Sequence, residues 1–246
     1  MKEKENIVFG VHPVIEAIKS GKEIEKVYIQ QDIQGQGITE LRNAIKQAKV
    51  PVSHVPVFRL NKYTKGNHQG VVAVISPIIT QDAEETITKI FDAGKVPLVL
   101  MLDRVTDVRN FGAITRTAEC MGVNAIIIPK RESAQINEDA VKTSSGAIYR
   151  IPICKVENLT DALFMLKSSG IQVVSCTEKT NKRIGELDLT VPTAIIMGSE
   201  ENGIANQLLK NSNYSGKIPM AGEIASLNVS VAVGMVLYEV AKQRKI

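Results

Sequence analysis

From Pro97 onward, continuous apolar runs alternate with amphipathic stretches along the chain. The runs are Leu98–Leu102, Ala125–Ile128, Gln172–Ser175 and Ala194–Met197, without the in-out alternation of a strand that has one wet face. Strands covered on both faces read this way. Helices are expected between them at Ile114–Met121 and Leu159–Ser168, so residues 96–246 should form an α/β domain with an open, mostly parallel sheet. Ligands of such sheets bind beyond the carboxyl ends of the strands. The loops after Leu102, Met197 and Ile218 are therefore the informative ones.

The first third has a different rhythm. A helix at Val14–Lys19, a strand at Lys26–Gln30, a helix at Thr39–Ala48 and strands at Val52–Val55 and Val71–Ile75 make residues 1–76 a small α/β domain. Gly35-Gln-Gly37 opens like a dinucleotide fingerprint, but Glu40 stands at the third glycine position, and the stretch is expected to be a loop capped by Thr39. Ser76–Glu85 breaks the pattern and leads into a polar helix ending near Gly94, which places a linker at 77–95.

Composition narrows the class. At 246 residues the chain can hold one large or two modest domains, each with its own core. The first six residues are simply polar, and no apolar run reaches membrane-spanning length, so a cytoplasmic location is the default expectation. Cys120, Cys154 and Cys176 are odd in number, far apart and in apolar neighbourhoods, and are expected to be small core residues. His12, His54 and His68 lack metal-ligand spacing, and no metal is expected. Residues 1–76 carry 11 Lys and Arg against 7 Asp and Glu, and the remainder carries 19 of each. The whole formal excess of +4 thus lies in the first third, where it permits contact with phosphate.

The strongest pattern is Ile218-Pro-Met-Ala-Gly-Glu-Ile-Ala-Ser-Leu-Asn-Val-Ser230, opening into an apolar helix that carries Val233, Val236, Leu237 and Val240. One cap suffices for a core helix, yet Ser226, Asn228 and Ser230 surround this start, which suits a polar ligand; an over-polar cap without a ligand is the plainer reading. Two further loops carry candidate chemistry. Asn110 precedes Gly112, with Arg116 one turn further along a helix expected to start near Gly112; a cap and a surface ion pair are the plainer readings of that pair. Gly198-Ser-Glu-Glu-Asn-Gly203 follows a buried strand, and its two glycines allow backbone to approach a ligand closely. No Gly-Lys-Ser/Thr follows it, and the chain has no Gly-x-Ser-x-Gly elbow, which argues against a nucleoside triphosphatase or a serine hydrolase.

These three loops, in this order, resemble the three motifs of the SpoU (TrmH-type) RNA ribose 2′-O-methyltransferases. Asn110–Arg116 resembles the first, Gly198–Gly203 the second, and Ile218–Gly222 with Ser226–Ser230 the third. Phe9–Ala17 and His68–Val72 resemble the ribosomal-protein-like substrate-binding domain of the subgroup that modifies guanosine in large-subunit ribosomal RNA. The resemblance implies a deep trefoil knot in residues 96–246, a homodimer, and S-adenosylmethionine held by Thr177, Met197, Gly198, Ile218, Met220 and Leu227. It further implies a catalytic group of Asn110, Arg116, Glu200, Ser226 and Asn228. One version makes Arg116 the general base; another has Glu200 fix Arg116 on the phosphate beside the target ribose while the asparagines orient the hydroxyl. RNA is the implied partner, contacted through Lys62, Lys65 and His68, with neither membrane nor metal. Transfer-RNA methylation and a non-catalytic RNA-binding protein of the same fold are the alternatives.

Overall fold

The computed structural model describes residues 6–223 and 226–246. Met1–Glu5 of the polar start, and Ile224 and Ala225 of the third loop, lie outside the described residues. The chain divides into two compact units, Met1–Ile79 with Ile136–Glu138, and Thr80–Gln135 with Asp139–Ile246.

In the first unit the elements run β1 (Ile7–Phe9), α1 (Val11–Lys19), β2 (Ile24–Gln30), α2 (Gln36–Ala48), β3 (Val52–Val55), α3 (Val57–Leu60) and β4 (Val71–Ile75). The sheet order is β1-β4-β2-β3, with β4 antiparallel to both neighbours and β3 parallel to β2. Val14, Ile15, Ile38, Leu41 and Ile45 from the two long helices pack with Val27, Ile29, Val71 and Ala73 of the sheet. Thr39 is not the cap of α2. The helix already begins at Gln36 after Gly35, whose φ of 136° suits glycine, and the Thr39 hydroxyl donates back to the Gly35 carbonyl.

The second unit runs α4 (Ala83–Asp92), β5 (Leu98–Asp103), α5 (Val108–Cys120), β6 (Ala125–Pro129), α6 (Glu138–Thr143), β7 (Ile153–Val156), α7 (Leu159–Ser168), β8 (Gln172–Cys176), β9 (Thr193–Gly198), α8 (Asn206–Asn211), β10 (Tyr214–Gly216) and α9 (Val229–Arg244). Its six strands, ordered β10-β8-β9-β5-β6-β7, are all parallel. Every residue of Leu98–Asp103 is buried, as expected of a strand covered on both faces. The helix α4, in the stretch read as a linker, turns Ala83, Thr86, Ile87 and Ile90 into this unit's core; Asp82 caps it through the Glu85 amide. Of the cysteines, Cys154 is buried, Cys176 half-buried and Cys120 exposed, so Cys120 is not the core residue its neighbours suggested. It ends α5 on the helix's outer face.

The last turn of α9 is tied down by one side chain. The Arg244 guanidinium donates to the carbonyls of Leu189, Val96, Pro97 and Val191 at 2.8 to 3.1 Å, which joins the helix to the segments entering β5 and β9. Burial pulls its pKa below the ordinary arginine value.

Candidate active site

The central pairing of β5 with β9 sets Asp103 opposite Gly198, so the loops that follow leave the sheet side by side. The second loop doubles back at once: the Gly203 amide donates to the Ser199 carbonyl at 2.9 Å, and the Asn202 amide to the Ser199 hydroxyl at 3.2 Å. A Cβ on Gly198 would stand 2.2 Å from the Gly203 carbonyl carbon, so only glycine permits this return. Asp103, buried at the end of β5, holds the returning limb. Its Oδ2 accepts from the Ala205 amide at 2.7 Å and from Arg104 Nη2 at 2.9 Å, while Oδ1 accepts from Arg104 Nε at 3.0 Å. Arg104 Nη2 also donates to the Gly203 carbonyl at 3.1 Å, from a backbone in the left-handed region at φ 56°. The hydrogen bond to Asp103 lifts the guanidinium above its ordinary pKa, against a smaller opposing effect of burial.

The first loop is shorter than its glycine suggested. Asp107 caps α5 by accepting from the Asn110 amide at 2.7 Å, so the helix starts at Val108 and Asn110 sits in its first turn. Gly112 serves packing instead of a start: a Cβ there would meet Thr143 Oγ1 of α6 at 1.8 Å. At the third loop Asn228 caps α9, its Oδ1 accepting from the Ser230 amide at 3.0 Å and the Val231 amide at 3.4 Å.

All three loops meet on Glu200. Its Oε1 accepts from Asn228 Nδ2 at 2.6 Å, Asn110 Nδ2 at 3.2 Å and the Val229 amide at 3.1 Å, and Asn228 Nδ2 also donates to Asn110 Oδ1 at 3.1 Å. Three donors on one oxygen leave Oε2 without a partner among the described residues. Arg116 is not part of this cluster. It is exposed and has no hydrogen bond or ion pair among the described residues. Six residues beyond Asn110 on an α-helix it lies about 9 Å along the axis and roughly 120° around it. The expected Glu200–Arg116 pairing is not made within this chain, where Asn110, Asn228 and the Val229 amide take Glu200 Oε1, and α5 starts at Val108 and not near Gly112.

Two cavities flank the cluster. Thr177, Met197, Gly198, Ile218, Met220, Ser226 and Leu227 all line one of about 450 Å³. Arg104, Asp107, Asn110 and Glu132 line another of about 500 Å³. Ser199, Glu200, Glu201, Asn202 and Val229 line both, so Glu200 stands in their common wall. Cys176, at the first cavity, is buried enough to push its thiol up to about 12. Among the described residues no group of three His, Cys, Asp or Glu side chains could hold a metal ion.

In the first unit, Lys62 and Lys65 are exposed on the segment after α3, where Phe58 is 60% exposed beside Arg59. His68 has both ring nitrogens engaged: Nδ1 accepts from the Gly70 amide at 3.0 Å, which leaves Nε2 to donate to Asn61 Oδ1 at 2.9 Å. It shapes the loop, whereas Lys62 and Lys65 make no ion pair among the described residues.

The motif pattern did not single out Asp103, Arg104, Asp107, Glu132 or the Val229 amide. An acid at the end of a buried strand was the available signal for Asp103, and an acid three residues before Asn110 the signal for Asp107. Glu132 carried none.

Comparison with known proteins gives the family. Residues 97–238 match the model of the SpoU rRNA methylase family, and residues 7–81 match a model described as RNA 2′-O ribose methyltransferase substrate binding. A putative TrmH family tRNA/rRNA methyltransferase of Staphylococcus saprophyticus is 35% identical over 241 residues, 98% of this chain and 97% of that protein. The SpoU methyltransferase AviRb from Streptomyces viridochromogenes, solved in complex with the cofactor AdoMet, aligns with a TM-score of 0.61 at 23% identity over 97% of this chain and 90% of its own. The TrmH/SpoU tRNA modifying enzyme of A. aeolicus aligns with a TM-score of 0.56 at 30% identity, over 66% of this chain and 84% of its own. The chain belongs to the SpoU rRNA methylase family. It is an RNA ribose methyltransferase of the TrmH type.

Proposed function

We propose that this enzyme transfers a methyl group from S-adenosylmethionine to the 2′-hydroxyl of a guanosine in large-subunit ribosomal RNA. The observation that carries the reading is the Glu200 cluster in the wall between two cavities, built from the three loops that bear the family motifs.

The first cavity suits the cofactor. Met197, Ile218 and Leu227 supply apolar surface for an adenine face, and bare backbone at Gly198 supplies polar edges. Glu178 and Glu200 in the lining would suit the positive charge of a sulfonium, and Lys179 and Lys217 the negative charge of a methionine carboxylate. When bound, the cofactor supplies an electrophilic methyl group. The chain's own residues then have to place the hydroxyl and take its proton. Asn110 and Asn228 fix Glu200 through Oε1, and Oε2 is left to accept the hydroxyl hydrogen. Ser226, exposed on the same cavity, contributes a further hydroxyl.

Arg116 makes no hydrogen bond or ion pair with Glu200 among the described residues of one chain, and a second copy is the source proposed for its part in the reaction. The outer face of α9 offers a seat for that copy: Val231, Met235 and Tyr238, at helical spacing, are 45 to 65% exposed. Thr117, next to Arg116, is close enough that a Cβ on Gly234 of α9 would touch it at 3.8 Å. A homodimer through this face brings Arg116 of one protomer to the target phosphate on the other. The trefoil knot belongs to the same reading. The first unit, up to Ile79, is the one that selects RNA, through Lys62 and Lys65, and the second, which begins at Thr80 and includes α4, carries the chemistry.

The test is transfer of tritiated methyl to bulk RNA, followed by mapping of the modified nucleotide. Label in a 2′-O-methylguanosine of 23S RNA is the expected result; label in transfer RNA would move the substrate, and no transfer to any RNA would overturn the reading.

A further inference from the structure

The second cavity is separate from the one assigned above to the cofactor, yet it shares Glu200 with it and carries a distinctive set of polar groups. Arg104 enters it with most of its donors already committed. Nε and Nη2 are spent on Asp103 and on the Gly203 carbonyl, so the guanidinium plane is fixed and Nη1 is the edge left over. The side chain is 29% exposed, enough for that edge to be reached. Glu132 lines the same cavity from a left-handed backbone at φ 57°. It makes no hydrogen bond or ion pair among the described residues, although its charge acts on Arg104. That backbone is uncommon for a non-glycine residue, and the carboxylate stands in the cavity lining.

The charge balance decides what fits. Asp103 already pairs with the only cation of the lining, and Asp107, Glu132, Glu200 and Glu201 are all acids, so a phosphate would be repelled. A neutral base rich in donors would not. A fixed donor and a carboxylate with two acceptor oxygens in one lining suit the Watson–Crick edge of guanine, which presents O6, N1–H and N2–H in that order. Adenine, cytosine and uracil place no two donors side by side, so a carboxylate cannot pair with them twice. We infer that this cavity takes the base of the target nucleotide, and that Arg104 and Glu132 read it as guanine while Glu200 meets its ribose. The inference rests on the 2′-O-transfer proposed above, and it assigns the base-reading residues that reading lacks. Asp103 acts through Arg104 as a positioning residue.

The test uses the full-length protein and a synthetic RNA carrying the mapped target as guanosine, inosine or adenosine. Inosine removes only the N2 donors. The wild type should lose about 10-fold in kcat/KM on inosine and at least about 100-fold on adenosine, as expected for one or more lost base contacts. In Glu132→Gln, turnover on guanosine should fall about 10- to 100-fold and the inosine penalty should vanish. S-adenosylmethionine affinity, measured by calorimetry, should stay unchanged, since Glu132 is exposed and lines only the second cavity. A purely structural Glu132 would instead slow guanosine and inosine equally. Equal rates on guanosine and inosine in the wild type, or an intact inosine penalty in Glu132→Gln, would overturn the inference. Methylation of a ribose other than guanosine's would also overturn it while leaving 2′-O-transfer standing; no transfer to any RNA would remove both.

Discussion

Replacing Glu200 by glutamine tests the centre of the site, because it keeps volume and removes charge. Glu200 Oε1 accepts three hydrogen bonds, from Asn228 Nδ2, Asn110 Nδ2 and the Val229 amide. A bond to a charged partner contributes about 1.5–3 kcal/mol and a neutral one about 0.5–1.5, so the swap removes roughly 1 kcal/mol from each bond at most. The residue is exposed, and solvent screening brings the expected loss of stability to about 1–2 kcal/mol. Against a typical total of about 5–15 kcal/mol, the variant remains folded at 25 °C. The chemical effect is larger. The amide puts a donor where Oε2 was, so the proton acceptor is lost, and kcat should fall about 100- to 10,000-fold. Calorimetry should show S-adenosylmethionine binding within about fivefold of wild type, because only one screened charge interaction of about 1 kcal/mol is removed. Glu200→Asp restores charge but withdraws it by one methylene, and should recover only part of the rate. A Glu200→Gln enzyme with kcat within about threefold of wild type would refute the reasoning. A loss of cofactor affinity equal to the loss of kcat would refute it too, by giving the carboxylate to the cofactor.

Arg116→Ala should abolish transfer and leave cofactor affinity intact; co-refolding it with inactive Glu200→Gln should restore part of the activity, since mixed dimers would hold one complete site, and no rescue would argue against a shared site. In Lys62→Ala/Lys65→Ala, RNA binding should weaken and the slope of log affinity against log salt should shrink by about one to two, read by filter binding. Iodoacetamide at pH 8.5 should label exposed Cys120 in the native protein and spare Cys176, whose raised pKa leaves well under a hundredth of it as thiolate. The sign follows for stability: a thiol pushed up to about 12 holds its proton in the folded state, so Cys176 lowers stability as pH rises above about 8.5, where the unfolded thiol ionises. Arg244→Met should cost about 2–4 kcal/mol in urea unfolding, because four backbone carbonyls lose a charged donor.

The parallel sheet was legible because burial on both faces writes itself as unbroken apolar runs, and Leu98–Leu102 and Ala194–Met197 need no partner to be read. Short elements were not. Three residues of β1 or β10 carry no period, and they form because β4 and β8 offer them a ladder. Helix starts failed where a glycine was read locally: Gly112 looked like a boundary, but its reason is the approach of Thr143 from α6, which lies far off in sequence. The residues of the site were legible as three loops, whereas their wiring was not. That Glu200 would take Asn110 and Asn228, leaving Arg116 outside, depends on which way α5 faces, and its start at Asp107 decides that. Arg104 and Glu132 stayed invisible because each depends on a left-handed backbone that no local pattern announces.

The Asn228 amide works from both ends, its oxygen turned to the Ser230 and Val231 amides and its nitrogen to Glu200 and Asn110. At an ordinary helix start, serine, threonine, aspartate and asparagine are near equivalents. Here the four cease to be interchangeable: a hydroxyl is too short to span both neighbours, and a carboxylate would set a second negative charge against Glu200. An enzyme rebuilt for heat tolerance by exchanging helix caps would therefore keep its α9 and lose its chemistry at this one position, while the caps at Asp82 and Asn158 remain open to change.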